Sequence, residues 1–259
     1  MKKKIAAACL GVVLICALGA ATPAGAQSTE VKEKPPLYTY VGSFALPRTK
    51  WAELGKQNVA EQKIFEKALS SGQLIGYGTD AELVHTNDGY THDSFWSSMS
   101  MAGLLGVLDD LEKGGSTTGS VLSSATKHDD SLLRSRYYNW KPGTVKGGYS
   151  HVAAYTLKEN APDNALDVLS KSFGVPLFEK LLADGTIVEY EIDEEQIHTE
   201  TPGRFWVVYL CKTADGLDKV NAALNGAFGA SPFVGPALDS MVQPANHRDY
   251  LSRTDAVYK

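Results

Sequence analysis

Two stretches of the chain, IFEKALSSGQLIGYGTDAELVHT (residues 64–86) and LFEKLLADGTIVEYEIDEEQIHT (residues 177–199), match without a gap at an offset of 113, with ten of 23 positions identical. A second pair lies further along at an offset of 119. HDDSLLR (128–134) and HRDYLSR (247–253) both read H-x-D-x-L-x-R. Self-similarity in a fixed order is typical of repeated structural units. The sequence therefore predicts a tandem duplication.

Both copies present the same order of predicted elements. An alternating strand opens each copy, and apolar residues at helical spacing follow it. A second strand, a turn, a third strand and another helix come next, and the H-x-D-x-L-x-R stretch forms the last strand. The predicted elements are strands at 38–46 and 149–157, strands at 73–85 and 186–198, and helices at 102–113 and 214–226. This βαββαβ order is that of ferredoxin-like units and predicts an α+β fold.

Two βαββαβ copies of this length resemble the dimeric α/β-barrel superfamily in its single-chain, tandem-repeat form. The resemblance lies in element order and duplication, and no motif selects a member. It implies two ferredoxin-like repeats that form one pseudo-twofold α/β barrel, each with strand order 4-1-3-2. The edge strands, two and four, would then meet their counterparts in the other copy and close the barrel. The superfamily includes antibiotic-biosynthesis-type monooxygenases, chlorite dismutases and dye-decolourising peroxidases, but fold alone does not assign a function.

The chain divides into five predicted parts. Three lysines, an apolar run and Ala24-Gly25-Ala26 have the layout of a cleaved signal peptide, with an uncleaved anchor as the alternative. We therefore expect a secreted or periplasmic protein with no membrane contact after cleavage, since no later segment has the apolar length of a span. The parts are a signal peptide (1–26), a flexible tail (27–36), repeat 1 (37–138), a linker (139–148) and repeat 2 (149–259).

Charge and cysteine content exclude two classes of protein. Removing the three signal-peptide lysines from 25 basic residues leaves 22 against 30 acidic residues, a net charge of −8. A chain this acidic, without basic clusters, is not expected to bind nucleic acid. Cys211 alone follows the signal peptide, so no intrachain disulfide is expected.

Acidic and basic residues recur at the predicted seams between the copies. Because residues two apart share a strand face, we interpret them as ion pairs and hydrogen bonds that close the barrel, for example between Arg253 and Asp80. The seam residues are Asp80, Glu82, Asp193 and Glu195 on the second strands, and Asp130, Arg134, Asp249 and Arg253 on the fourth strands. No metal site is predicted, because His85 follows Glu82 by three residues and would face away from it.

Histidines and tryptophans are the candidate binding residues. Histidine titrates near neutral pH and acts as a general base, and the resemblance to haem proteins also makes a histidine ligand conceivable. Phe-Trp dipeptides occur in both copies, at 95–96 and 205–206. They match if the loop before the third strand is three residues shorter in the second copy, and Trp96 then corresponds to Trp206. The candidates are His85, His198, His151, His128, His247, Trp96 and Trp206.

Three functions stay open at this point. The leading interpretation is an exported barrel protein that binds a small molecule in its cavity, with ligand and cofactor unidentified. The second is an oxygenase-like or haem-dependent enzyme that uses a cavity histidine. The third is a structural protein that assembles into a homo-oligomer.

Overall fold

The computed structural model describes residues 33–86, 89–116, 119, 121–198, 202–230 and 234–259. The predicted signal peptide (1–26), most of the predicted tail (27–32) and the predicted turn at Asn87-Asp88 lie outside these residues. Nothing in the described part of the chain is a helix with the length and apolar character needed to cross a bilayer.

Strands and helices follow one another in the same order in each half of the chain. The first half contains β1 (Leu37–Ala45), α1 (Trp51–Ser70), β2 (Gly76–Glu82), β3 (His92–Ser98), α2 (Met101–Lys113) and β4 (Lys127–Trp140). The short strand β5 (Thr144–Val145) follows. The second half contains β6 (Tyr149–Thr156), α3 (Ala165–Leu169), α4 (Val175–Asp184), β7 (Glu189–Glu195), β8 (Arg204–Cys211), α5 (Ala214–Ala230), α6 (Val234–Met241) and β9 (Arg248–Tyr258).

Eight of the strands form a closed antiparallel barrel. The order around it is β2-β3-β1-β4-β7-β8-β6-β9, and β9 pairs with β2 to close the ring. The pairs β4–β7 and β2–β9 join the two halves, so the second and fourth strands of opposite halves meet. The predicted α+β class and the closed barrel are confirmed. Closure leaves none of these eight strands with an unpaired edge.

Helices cover the outer face of the barrel, and the two largest hydrophobic clusters lie between these helices and the strands. In the first half, Phe65 and Leu104 pack with Trp96 on the sheet, and in the second half Phe178 packs with Tyr209. Burying an aliphatic or aromatic side chain of this size stabilises the fold by about 1.5–3 kcal/mol. The barrel interior is therefore not needed as the main hydrophobic core.

The structure differs from the predicted boundaries at three places. Asn139 and Trp140 end β4, and Thr144–Val145 pair with β9, so four of the ten residues of the predicted linker (139–148) belong to the sheet. Residues 33–36 of the predicted tail lie against β4, where Lys34 Nζ donates to the carbonyl of Tyr138 at 2.7 Å. The predicted second strands are shorter than expected, because their ends turn into loops.

The helical segment of the second half is continuous through Gly174-Val175-Pro176, although glycine and proline often end a helix. A π-helical turn (Ser170–Gly174) joins α3 to α4, and Pro176 lies in the first turn of α4. Proline has no N–H for an α-helical hydrogen bond, and a wider π turn accommodates this without ending the helix.

Candidate functional site

A cavity of about 190 Å³ lies inside the barrel. It is lined by alternating residues of all eight barrel strands, as expected when every second side chain of a strand points to the same face. The apolar part of the lining includes Val41, Phe95, Leu133, Val152, Trp206, Val208, Leu210 and Val257. The polar part includes Thr39, Ser43, Asp80, Glu82, Asp93, Ser131, Ser150, Glu189, Glu191, Asp193 and Ser252.

The cavity reaches the protein surface at the ends of several strands. Tyr90, Asp129, Arg204 and Tyr250 line it there and are each partly or largely exposed. Lys127 Nζ lies 4.0 Å from the ring centroid of Tyr90. This end of the barrel is therefore the entrance, and it carries both signs of charge.

Three carboxyl groups of the first half, which we call the acidic cluster, share the inner face near this entrance. Asp80 and Glu82 lie on β2, and Asp93 lies directly opposite Asp80 on β3. Burial, reinforced for Asp80 and Glu82 by the charge of Asp93, raises the pKa of Asp80 to about 7, of Glu82 to about 8 and of Asp93 to about 6. The cluster therefore exchanges protons near neutral pH.

The second half has its own inner carboxyl groups, and a lysine lies among them. Lys259 Nζ lies 2.6 Å from Glu189 Oε1 and 2.9 Å from Glu191 Oε1, and all three side chains are less than 10% exposed. Burial lowers the pKa of Lys259, but the two glutamates more than offset this and raise it. Asp193 accepts a hydrogen bond from the Ser135 hydroxyl, and burial raises the pKa of Asp193 well above its usual range.

Glycines on β2 make room for this arrangement. At the 113-residue offset, Gly76 and Gly78 correspond to Glu189 and Glu191 of β7. A Cβ on Gly76 would lie 2.4 Å from Lys259 Cδ, and one on Gly78 would lie 2.6 Å from Phe95 Cζ. The lysine stem and the phenylalanine ring thus occupy the space that side chains fill in the other copy.

The H-x-D-x-L-x-R residues point away from the cavity, which corrects the predicted pairing at the seam. Asp80 is opposite Thr254 on β9, whereas Arg253 is opposite Ala81. Because neighbouring residues of a strand face opposite sides of the sheet, Arg253 and Asp80 lie on different faces. Arg253 instead donates to the hydroxyl of Tyr149 at 2.8 Å and to the carbonyl of Gly147 at 3.1 Å.

The equivalent arginine of the first half does bridge the two halves, with a different acid. Arg134 Nε donates to Glu194 Oε1 at 3.0 Å across the β4–β7 seam. Glu194 points outwards, whereas Asp193 lines the cavity and Glu195, 6% exposed, shares the face of Asp193. The four second-strand acids of the predicted seam thus lie on the inner face, whereas Arg134 and Arg253 lie on the outer face.

None of the described histidines lines the cavity. His128 and His247 each lie 3.2 Å from the aspartate two residues later, Asp130 and Asp249, on the outer face. His151 lies on the outer face of β6, where its ring stacks on Tyr209 with centroids 4.8 Å apart. These residues form repeated local contacts outside the barrel.

The remaining two candidate histidines lie in the segments after β2 and β7. His85 is exposed and stacks on Trp51, with ring centroids 5.9 Å apart, and His198 is exposed. A haem group does not fit the site, because no described histidine faces the cavity and about 190 Å³ is below the roughly 300–1,000 Å³ of ordinary cofactor pockets.

The two tryptophans occupy opposite faces, so the predicted Phe-Trp match is wrong in register. Trp96 lies opposite Tyr40 on β1, and the residue in the equivalent place of the second half is Tyr209, opposite His151. Trp96 packs outwards and donates to the carbonyl of Leu104, whereas Trp206 lines the cavity. Matching Trp96 with Trp206 shifts the alignment of the two copies by three residues. Because successive side chains of a strand alternate between faces, a shift by an odd number of residues places the matched side chain on the other face.

Several cavity residues were not singled out from the sequence. Asp93 is in the structural position of Trp206, since each lies opposite the matched aspartate of the second strand. In the matched blocks, Glu189 and Glu191 correspond to Gly76 and Gly78. This difference between the two copies is visible in the sequence and indicates a change at these positions. Lys259 had no such signal, because its partners are distant in sequence.

Among the described residues, no set of side chains at the cavity is arranged to bind a metal ion. Nowhere in the described ranges do three histidine, cysteine, aspartate or glutamate side chains converge as metal ligands. Cys211 is fully buried in β8, and burial raises the pKa of its thiol to about 11, so it is not an activated nucleophile. The chemistry of the site therefore rests on carboxyl groups, hydroxyl groups and aromatic rings.

The chain matches no protein-family model, and no curated protein matches it. Solved structures do share its fold. A "putative monooxygenase" from Fusobacterium nucleatum has a TM-score of 0.62 at 6% identity, covering 86% of this chain and 94% of that one. Another from Lactobacillus acidophilus has a TM-score of 0.59 at 11% identity, covering 87% and 97%. An anthrone oxidase-like protein has a TM-score of 0.50 at 9% identity, covering 87% and 93%. The fold therefore resembles that of dimeric α/β-barrel proteins, without a specific member.

Proposed function

We propose that this protein binds a small molecule in the cavity of its barrel. The observation that carries the proposal is a cavity that every barrel strand helps to line and that places three carboxyl groups beside an apolar wall. Concave sites with mostly apolar walls and a few convergent polar groups are typical of ligand-binding sites. The volume of about 190 Å³ favours a ligand smaller than most cofactors.

Native mass spectrometry tests this proposal. Val208 lines the cavity from β8, so Val208→Phe fills part of it, whereas Val168→Phe adds the same ring on helix α3, where the side chain is 37% exposed. We expect the wild type and Val168→Phe to carry or bind a ligand that Val208→Phe excludes. Equal ligand occupancy in all three proteins, or a bare wild type that no small metabolite stabilises against heat, would contradict the proposal.

An oxygenase-like enzyme is the alternative, and one feature of the cavity favours it. Glu82 and Asp80 have pKa values raised into the neutral range, which suits a general base. In that case Glu82 would accept the substrate proton in place of the expected cavity histidine. The test is substrate turnover, where Glu82→Gln should reduce the rate by about 10²–10⁴ if Glu82 is the base.

The two halves are, in this proposal, ferredoxin-like repeats that arose by duplication. The matched blocks of sequence and the equal order of strands in each half support this history. Expression of either repeat alone tests it, because a repeat that retains the ability to pair should assemble as a two-chain barrel. A repeat that stays unfolded alone and with its partner would argue against it.

We also propose that the protein is exported and that the exported form assembles into a homo-oligomer. The lysines and apolar run before Gln27 support a cleaved signal peptide. Cell fractionation and N-terminal sequencing check this, with Gln27 as the expected first residue of the exported form. Sedimentation of that form checks whether it forms a homo-oligomer.

A further inference from the structure

The acidic cluster contains buried polar atoms that have no donor. Asp80 is 5% exposed and Glu82 is 9% exposed, yet Asp80 Oδ1 and Glu82 Oε2 find no hydrogen-bond partner in the described part of the chain. Thr254 lies opposite Asp80 and is fully buried, and its hydroxyl, together with that of Ser150, lies close enough to favour the charged form of Asp80. A buried polar group without a partner costs about 1–3 kcal/mol. Two such carboxylate oxygens on one strand face indicate a site that takes a further donor from outside the chain.

The second half shows what fills the corresponding place there. Lys259 brings an ammonium group to Glu189 and Glu191, and both carboxylates are paired with it. The ion pairs among described residues include none with Asp80, Glu82 or Asp93. One half of the interior thus has its own cation, and the other half presents its acids to the cavity.

Aromatic and apolar side chains adjoin the acidic cluster. Phe95 is two residues from Asp93 on the same face of β3, and its ring lies over Gly78 on β2. Trp206 lines the same cavity from β8, and the Arg204 guanidinium lies 5.3 Å from its ring centroid on the side of the entrance, so Phe95 is the aromatic ring beside the acidic cluster. Aromatic faces attract organic cations through the ring quadrupole, and more strongly where water is excluded. The cluster therefore pairs negative charge with an apolar, aromatic wall.

From this arrangement we propose that the cavity binds a small organic amine in its protonated form. Its ammonium group donates to Asp80 Oδ1 and Glu82 Oε2, and its apolar part lies against Phe95 and Trp206. This inference rests on the proposed small-molecule binding and names the chemical class of the ligand. A bare metal ion does not suit the cluster, because the described residues offer no group of three metal ligands.

Isothermal titration calorimetry at pH 8 with three probes of similar shape tests the inference. The probes are 2-phenylethylammonium, the neutral 2-phenylethanol and the anionic 3-phenylpropanoate. We expect the wild type to bind the amine about tenfold or more tightly than the alcohol, and the anion not at all, because a charge-assisted hydrogen bond is about twice as strong as a neutral one. Butylammonium serves as a fourth probe without the ring and should bind more weakly than the arylamine.

Two substitutions and a matched control locate the binding. Asp80→Asn and Glu82→Gln keep the shape of the side chain and remove its charge, so each should weaken amine binding about tenfold or more. Asp130→Asn removes an aspartate on the outer face, where the side chain is 43% exposed, and should leave the affinity unchanged. A circular dichroism spectrum and an unfolding curve for each variant show that it is folded.

The outcomes separate this inference from the proposed function. Equal affinity for amine and alcohol, or full affinity of Asp80→Asn and Glu82→Gln for the amine, would overturn the organic-cation assignment. If Val208→Phe nevertheless abolished alcohol binding, the cavity proposal would stand without it. The absence of saturable amine binding at millimolar concentration would also overturn the assignment. Native mass spectrometry of the wild type, Val208→Phe and Val168→Phe would then show whether the cavity binds another small molecule.

Discussion

Lys259 Nζ lies 2.6 Å from Glu189 Oε1, although the strands nearest to them in sequence, β9 and β7, do not pair with each other. Lys259 directly follows β9, and Glu189 begins β7, with β8 and β6 between them in the ring. The lysine stem passes over Gly76 of β2 to reach its partner. This ion pair therefore crosses the barrel interior and contacts strands of both halves.

Replacing this lysine should destabilise the protein in a pH-dependent way. Lys259→Met leaves Glu189 and Glu191 buried without their cation, and breaking a buried pair typically costs about 3–5 kcal/mol. The loss should be largest at pH 9 and smaller at pH 5, because burial raises the pKa of Glu189 to about 8 and a protonated Glu189 needs no cation. Urea unfolding at both pH values measures it.

Two controls accompany that experiment. Lys219→Met removes an exposed lysine that pairs with Asp215, and should change stability by less than about 1 kcal/mol. Adding Glu189→Gln and Glu191→Gln to Lys259→Met should restore part of the lost stability. An equal effect of the two lysine substitutions would show that Lys259 is not buried among glutamates.

The inner glycines of β2 should not tolerate a side chain. Gly78→Ala places a Cβ 2.6 Å from Phe95 Cζ and 2.9 Å from the carbonyl oxygen of Ala256, so we expect a loss of about 1–3 kcal/mol. Gly226→Ala is the matched control on α5, where nothing lies within 4 Å of the added atom. It should stabilise the helix by about 0.5–1 kcal/mol. Thermal unfolding of both variants gives the comparison, and equal changes would contradict the packing of Phe95 over β2.

The two tryptophans should respond differently to truncation. Trp96 is 4% exposed in the core under α2, so Trp96→Ala should cost about 3–5 kcal/mol. Trp206 lines the cavity and is half-buried, so Trp206→Ala should cost less stability but should weaken ligand binding. Urea unfolding and acrylamide quenching of the fluorescence of each variant check this. If the two variants behaved alike, the sequence match of the Phe-Trp pairs would be the better guide to register.

Much of the fold is readable from the sequence because the chain repeats its own pattern. The matched blocks give the order of elements, and the βαββαβ order indicates which strands must meet to close the barrel. The face of each seam residue was harder to assign. Asp80 and Arg253 share a seam and differ by one position in the pairing register, which decides whether they meet or lie on opposite sides of the sheet.

The site was less predictable, since its parts come from distant segments. Histidines were the predicted binding residues because their ordinary pKa lies near neutral pH. Inside the barrel, however, burial raises the pKa of aspartate and glutamate side chains into the same range. Asp93 had no match in the second copy, where Trp206 takes its place. Lys259 contacts glutamates about 70 positions earlier in the chain, and no local sequence pattern predicts such a contact.

Stability should fall as pH rises from about 4 to 8. The folded-state pKa values of Asp80, Glu82, Asp93 and Glu189 are raised above those of the unfolded chain, so the folded protein holds more protons across this range. Asp255 on β9 adds to the repulsion on Asp80, and Asp193 on β7 shifts in the same direction. Lys259 does not reverse the trend, since it stays charged throughout.

Asp80→Asn isolates one contribution to this pH dependence. It should differ little from the wild type at pH 4, where Asp80 is largely protonated in both states, and exceed it by a few kcal/mol at pH 9, where the wild type has to bury a charge. Urea unfolding at the two pH values measures the difference. Asp130→Asn is the control, and a gain equal to that of Asp80→Asn would mean that Asp80 is not specially buried.

The most direct test of the account is a carboxyl-carbon NMR titration of the folded protein, with aspartate and glutamate labelled. If the second-strand acids point into the barrel, the signals assigned through Asp80→Asn and Glu82→Gln should titrate with midpoints near 7 and 8. Addition of a bound amine should then lower both midpoints, because a cation favours the charged carboxylates. Midpoints near the ordinary values of about 4 for both residues would place them in water, and would contradict an acid-lined cavity inside the barrel.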